Sequence, residues 1–79
     1  MAKMSKKKKY MAYILHDDDE FGYTQKKIAA LMEVSQSTIS SAVKDMRYEA
    51  EIHGLKKELA ETIREKARVL VAKNIEYLE

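Results

Sequence analysis

A strip of short polar side chains in the middle of the chain has the chemistry needed to read the edges of nucleic-acid bases. It recurs at helical spacing and consists of Gln36, Ser37, Ser40, Ser41, Lys44 and Arg47. Glutamine can form two hydrogen bonds with adenine, serine can donate or accept, and short side chains let a helix lie deep in the major groove. A face that is only solvated is usually richer in Glu and Lys. We therefore predict base contacts by Gln36, Ser37, Ser40, Ser41 and Lys44.

Residues suited to phosphate binding accompany this strip. The N-terminus of the preceding predicted helix offers free backbone N–H groups and the positive end of the helix dipole, both of which favour anions. We expect phosphate contacts from Thr24, Gln25, Lys26, Lys27, Thr38 and Arg47. The basic run Lys6, Lys7, Lys8 and Lys9 has two interpretations: a disordered solubilising tail, or an arm or helix start that neutralises further phosphates.

Two short helices joined by a tight turn are predicted to position these side chains. Thr24 and Ser35 are suitable N-caps, because a hydroxyl can accept a free backbone N–H. The apolar residues between and after them recur at helical period, and they are Ile28, Ala29, Leu31, Met32, Ile39, Ala42 or Val43, and Met46. The chain breaks between the two helices at residues 33–35.

Residues 25–44 resemble the helix-turn-helix of the lambda-repressor and lactose-repressor type. In that family a small residue, here Ala29, lies where the two helices touch. The inter-helix core is built at positions matching Ile28, Met32, Val34, Ile39, and Ala42 or Val43. The resemblance implies that a helix over residues 36–46 reads the major groove of duplex DNA, with Gln36 and Ser37 at positions that commonly touch base edges. The turn often contains glycine, whereas this chain has Glu33, which would cost about 1–2 kcal/mol in a left-handed conformation.

A first helix is predicted from the lysine run through Leu15, and a long amphipathic helix from Tyr48 onward. The apolar spacing of the second is closer to 3.6 than to 3.5 residues, which favours ordinary helix packing over a long coiled coil. Gly54 predicts either a break or a close helix contact. We expect Tyr10, Tyr13, Tyr23 and Tyr48 in the core or at its edge. The predicted organisation is a DNA-binding region at residues 1–47 and a dimerisation region at 48–79, within a single all-α domain.

A chain of 79 residues with no cysteine and two histidines has few ways to stabilise a small fold other than association. The first three helices are too few to bury every apolar residue that follows them. We therefore predict a homodimer whose shared core contains Ile52, Leu55, Leu59, Ile63 and Leu70.

Other classes of site have little support. The acidic run at residues 17–20 lacks the alternating spacing and glycine of a calcium loop and is expected to be a solvated loop pointing away from DNA. His16 and His53 have no partners at ligand spacing, and the serines have no base beside them. We expect no enzyme activity, metal, cofactor or small-molecule effector. The absence of a long apolar run or signal sequence predicts a cytoplasmic protein that does not enter membranes.

Two hypotheses for the function follow. The first is a small homodimeric transcriptional regulator of bacterial, plasmid or phage origin that binds a pseudo-palindromic site on double-stranded DNA. The second is an oligomeric assembly or adaptor module, like a small terminase subunit, in which the helix-turn-helix only docks on DNA. The net charge of +2 does not separate them. Stoichiometry does, because a dimer favours the first and a ring of eight or more favours the second.

Overall fold

Four helices follow one another along the part of the chain that the computed structural model describes, residues 4–54 and 56–74. Helix α1 spans Lys6–Asp17, α2 Gln25–Met32, α3 Gln36–His53 and α4 Lys57–Lys73. These residues contain no strand, so the predicted all-α class is confirmed. Helix α1 packs against the other three and lies at the centre of the fold.

Hydroxyl side chains cap the first three helices. Ser5 Oγ accepts from the Lys8 N–H at 3.2 Å, Thr24 Oγ1 from the Lys27 N–H at 3.2 Å, and Ser35 Oγ from the Thr38 N–H at 3.3 Å. Each hydroxyl satisfies a backbone donor that has no partner inside its helix, which stabilises a helix start by about 1 kcal/mol. The predicted caps Thr24 and Ser35 are confirmed.

The turn between α2 and α3 is closed by hydrogen bonds to the last turn of α2. Glu33 has φ 56° and ψ 45°, the left-handed conformation. The Val34 N–H donates to the Ala29 carbonyl at 3.0 Å and the Glu33 N–H to the Ala30 carbonyl at 3.4 Å. This pair of bonds is a Schellman motif, which usually has glycine where this chain has Glu33.

Glu33→Gly is therefore expected to raise the free energy of unfolding by about 1 kcal/mol, because glycine adopts this conformation without a steric penalty. Urea denaturation followed by circular dichroism measures the change. Glu33→Ala is the control: it also removes a carboxylate from the negative end of α2, but it keeps the strained backbone. Equal stabilisation by alanine and glycine would mean that charge, and not strain, is relieved.

The main core joins all four helices and holds α2 against α3. Its buried members are small or β-branched for the most part, and they are Ala12, Leu15, Ile28, Ala29, Ile39, Ala42, Val43 and Ala67. Met32 and Val34 are half-buried against this cluster. Every position that the resemblance assigned to the inter-helix core is thus in the core or in contact with it.

A second buried cluster joins α1, α3 and α4. It consists of Tyr10, Ile14, Met46 and Ile63. Ile63 is only 1% exposed, so it belongs to the core of a single chain. Because α4 packs on α1 through this side chain, α4 is part of the folded unit and not a separate arm.

Helix α3 is longer than the sequence indicated. The predicted end at Met46 is wrong, since the helix continues to His53 and the boundary proposed between residues 47 and 48 falls inside it. The helix stops where Gly54 adopts φ 72°, a conformation that side chains with a Cβ rarely take. Of the two alternatives for Gly54, the break is the observed one, and α4 starts only at Lys57.

The residues expected in a shared dimer core divide into two groups. Ile63 is buried within its own chain, so the prediction that it faces a second copy is corrected, and Leu70 is half-buried against the main core. Their own chain covers them because α4 packs on α1 instead of projecting away. Ile52 and Leu59 remain exposed, at 57% and 38%. Leu55 lies outside the described residues.

Candidate nucleic-acid interface

The start of α2 and the first half of α3 share one surface. Gln25 lines a shallow depression together with Gln36, Ser37, Ser40 and Ser41 of α3. Four of the five predicted base-reading residues are therefore beside a residue predicted to bind phosphate. The fifth, Lys44, is exposed about one turn further along α3.

The core beneath this surface determines which side chains of α3 are exposed on it. Ile39, Ala42 and Val43 are buried on the opposite side of α3, which leaves the short polar side chains facing outward. Gln36, Ser37 and Ser41 are exposed, whereas Ser40 is half-buried. A helix that presents such short side chains can approach base edges closely, because no long side chain holds it away.

Two predicted phosphate-binding side chains already form hydrogen bonds at the N-termini of α2 and α3. The Thr24 hydroxyl accepts from its own helix, although its hydrogen can still be donated outward. Thr38 is half-buried, and its Oγ1 lies 2.7 Å from Ser35 Oγ. Ser35 Oγ also lies 3.2 Å from Ser37 Oγ. Thr38 therefore supports the N-terminus of α3 and is less available to a phosphate than Gln25.

Lys26 and Lys27 are exposed in the first turn of α2. None of the ion pairs formed among the described residues uses Lys26, Lys27 or Lys44. These ammonium groups are consequently available for phosphates beside the polar depression, as the sequence predicted for the two on α2.

The lysine run forms the first turn of α1 and is not a tail. Two of its members contact α3: Lys9 Nζ lies 3.0 Å from Asp45 Oδ2, and Lys6 Nζ lies 3.8 Å from Glu49 Oε2. Lys7 and Lys8 are exposed. Lys6 to Lys9 thus form a helix start, and two of these four predicted phosphate-binding lysines have acidic partners within the chain.

Arg47 is engaged by a carboxylate at the end of α1. Its Nε and Nη2 donate to the two oxygens of Asp17, each at 2.8 Å. These two hydrogen bonds hold the pKa of the Asp17 carboxyl below its ordinary value, and a contact of 2.6 Å with His16 Nδ1 adds to the effect. A phosphate that approaches Arg47 must therefore compete with Asp17, in contrast to the free cation that the sequence predicted.

Two further carboxylates of the acidic segment, defined as residues 17–20, are fixed to α4 in the same way. Asp18 accepts from Arg64 Nε at 2.7 Å, and Glu20 accepts from Arg68 through two hydrogen bonds of 2.6 and 2.8 Å. A backbone N–H from Glu20 and the Arg64 guanidinium lower the pKa of Asp18. The segment is thus an ion-paired connection, and the expectation of a merely solvated loop is corrected. Three of its four carboxylates, those of Asp17, Asp18 and Glu20, are compensated by arginines of α3 and α4.

Tyr48 is the residue of this surface that the sequence analysis missed. It was expected in the core or at its edge, but it is 65% exposed. Its position seven residues after Ser41 and four after Lys44 already placed it on the polar face of α3 at helical period. Tyr48 also fits the apolar period of a helix that begins at residue 48, so its helical spacing from Ser41 and Lys44 did not stand out in the sequence.

Other kinds of site are not apparent in the described part of the chain. No three His, Asp or Glu side chains lie close enough together there to hold a metal ion. None of the helices α1 to α4 has the length and apolar character needed to cross a membrane.

No protein-family model, curated protein or solved structure matches the chain. Function must therefore be inferred from the chemistry of the surface that α2 and α3 form.

Proposed function

We propose that the protein binds duplex DNA sequence-specifically and reads the major groove with the first half of α3. The observation that carries this proposal is the shallow depression shared by Gln25, Gln36, Ser37, Ser40 and Ser41. It combines the start of one helix, suited to phosphates, with a second helix whose exposed side chains are short and uncharged. This is the pairing of backbone contacts with base contacts that groove recognition requires.

The distribution of charge supports the same function. Lys26 and Lys27 provide cations at the edge of the depression, and Lys44 provides one on α3. Arg47, Arg64 and Arg68 pair with three of the four carboxylates of the acidic segment, so most of its charge is compensated by partners on α3 and α4. Repulsion of phosphate by these carboxylates is thereby reduced.

We further propose a homodimer that acts as a small transcriptional regulator of bacterial, plasmid or phage origin. The support is the small size of the chain and the exposure of Leu59 and Val69 on α4. A two-fold dimer would present two copies of α3 to successive turns of the duplex, about 34 Å apart, and would favour a pseudo-palindromic site. Gln36, Ser37 and Ser40 of each copy would then read one half-site.

The test compares base-contact variants with phosphate-contact variants on a duplex obtained by selection from a random pool. Gln36→Ala and Ser40→Ala should each weaken binding to the selected duplex by about 1–3 kcal/mol and leave binding to random duplex nearly unchanged. Lys26→Ala combined with Lys27→Ala should weaken both and reduce the salt dependence of affinity. Fluorescence anisotropy at fixed salt measures these affinities.

A matched control removes two exposed lysines from α4, as Lys57→Ala with Lys66→Ala. It changes the net charge by the same amount as the α2 pair but should have the smaller effect. Equal losses on selected and random duplex for Gln36→Ala and Ser40→Ala would contradict base reading by α3. Failure of the pool to yield any preferred sequence would contradict sequence-specific binding.

A further inference from the structure

The second half of α3 exposes two large side chains on the side that the polar strip occupies. Tyr48 is 65% exposed and Ile52 is 57% exposed, although both carry large apolar groups. The buried side of this half is provided by Met46, which is in the second cluster. Tyr48 therefore contributes little to the core of its own chain.

Helix geometry aligns Tyr48 with the proposed base-reading residues. At about 100° per residue, Tyr48 lies within about 20° of Ser37 and Ser41 around the axis of α3. At 1.5 Å per residue it lies about 10 Å beyond Ser41 and about 6 Å beyond Lys44 along that axis. The phenol thus points in the same direction as Ser37 and Ser41, one turn after Lys44.

We propose that Tyr48 contacts the sugar-phosphate backbone of the duplex at the edge of the groove that α3 enters, its hydroxyl donating to a phosphate oxygen. This inference rests on the proposed function. The major groove is about 12 Å wide, so a helix that enters it with Ser37 and Ser41 meets the bordering backbone within the next turns. Tyrosine is one of the side chains that bond phosphate oxygens and so fix the position of a protein on DNA.

The surroundings of Tyr48 are compatible with a phosphate. It borders a groove between α1 and α3 that also contains Lys6, Lys9, Asp45 and Glu49. The two carboxylates are those that Lys9 and Lys6 contact, so the groove carries no excess of negative charge. The side chain of Lys6 is 74% exposed and its ammonium could approach the same phosphate.

Duplex DNA suits this position better than a second copy of the chain. Tyr48 points in the direction of Ser37 and Ser41, so a second copy that covered it would occupy space in front of α3. The duplex needs that space if α3 is to enter the groove. A dimer formed through Tyr48 would therefore compete with DNA.

The test uses Tyr48→Phe and Tyr48→Ala, with Ile52→Ala as the matched control one turn further along α3. Removing the hydroxyl should lower affinity for selected and random duplexes alike, by about tenfold, because a hydrogen bond to a charged group is lost but no base contact is. Ile52→Ala should bind like the wild type, because the exposed residues that support the proposed dimer, Leu59 and Val69, lie on α4 and not on α3. Hydroxyl-radical footprinting should show that Tyr48→Ala loses protection at the edge of the site and keeps it at the centre.

Wild-type affinity and an unchanged footprint for Tyr48→Phe would overturn the inference and leave the proposed function standing. An increase in affinity for Tyr48→Ala, together with a change from dimer to monomer in light scattering, would overturn it in favour of a second copy at Tyr48. Absence of duplex binding by the wild type would overturn both proposals. Circular dichroism melts of the three variants establish that each is folded in these measurements.

Discussion

Ile63→Asp is expected to unfold the protein, whereas Leu59→Glu leaves it folded. Ile63 is 1% exposed and packs with Tyr10, Ile14 and Met46. The buried Tyr10 hydroxyl has no hydrogen-bond partner among the residues that the structure describes, but one neutral donor offsets only a small part of the desolvation of a carboxylate. Burying an unpaired charge there costs several kcal/mol, which is comparable with the whole stability of a small domain, about 5–15 kcal/mol. Loss of helical circular dichroism at room temperature is the expected result.

Leu59 differs because it is 38% exposed in the first turns of α4. A glutamate there can remain in water and interacts favourably with the positive end of the helix dipole. If the proposed dimer uses the outer side of α4, Leu59→Glu should be a folded monomer under conditions in which the wild type is a dimer. Light scattering after gel filtration measures this.

Each outcome of that comparison has a distinct meaning. A folded Ile63→Asp variant would contradict the packing of α4 on α1. A wild-type monomer at micromolar concentration, or a Leu59→Glu variant that remains dimeric, would contradict a dimer through this side of α4. A ring of eight or more copies would instead support the assembly or adaptor function.

The features that the sequence predicted well are those that depend on neighbouring residues. Caps at Thr24 and Ser35 follow from hydroxyls placed just before apolar residues at helical period. The break at residues 33–35 follows from the same pattern, whereas the left-handed conformation of Glu33 is not indicated by it. The depression at the start of α3 follows from the same local pattern, since burial of Ile39 and Val43 determines which side of the helix is exposed.

The extension of α3 was not predictable from periodicity, because an apolar residue such as Tyr48 satisfies the pattern on either side of a boundary. Gly54 was the stronger signal for the end of the helix, and its φ of 72° shows why. The difference in burial between Ile63 and Leu59 was also not predictable, since both belong to one series of apolar residues at helical spacing. Only the packing of α4 on α1 distinguishes a core position from an exposed one.

The pairing of the acidic segment was beyond any local pattern. Asp17, Asp18 and Glu20 bond arginines that are 30, 46 and 48 residues away along the chain. Spacing indicates a favourable pair only when the residues are within a turn or two of each other. Consequently the sequence could identify Arg47 as a cation on α3 but not the carboxylate that holds it.

Ala29→Leu is expected to destabilise the fold and to abolish sequence-specific binding, because it separates the two helices of the proposed DNA-binding unit. Ala29 is 7% exposed in the main core, and its carbonyl accepts the Val34 N–H that closes the turn. Three added carbon atoms cannot be accommodated without moving α2 away from α3. Overpacking of this kind costs about 1–3 kcal/mol, and occasionally more.

Ala30→Leu is the matched control, because Ala30 is the next residue of α2 and is exposed. It adds the same atoms to the same helix with little change in helix propensity. Urea denaturation should show a lower free energy of unfolding for Ala29→Leu and a value near the wild type for Ala30→Leu. Anisotropy, measured at a temperature where both variants are folded, should show loss of preference for the selected duplex only in Ala29→Leu. Equal stability and equal binding of the two variants would contradict the prediction. The recognition surface would then not depend on close contact between α2 and α3 at Ala29.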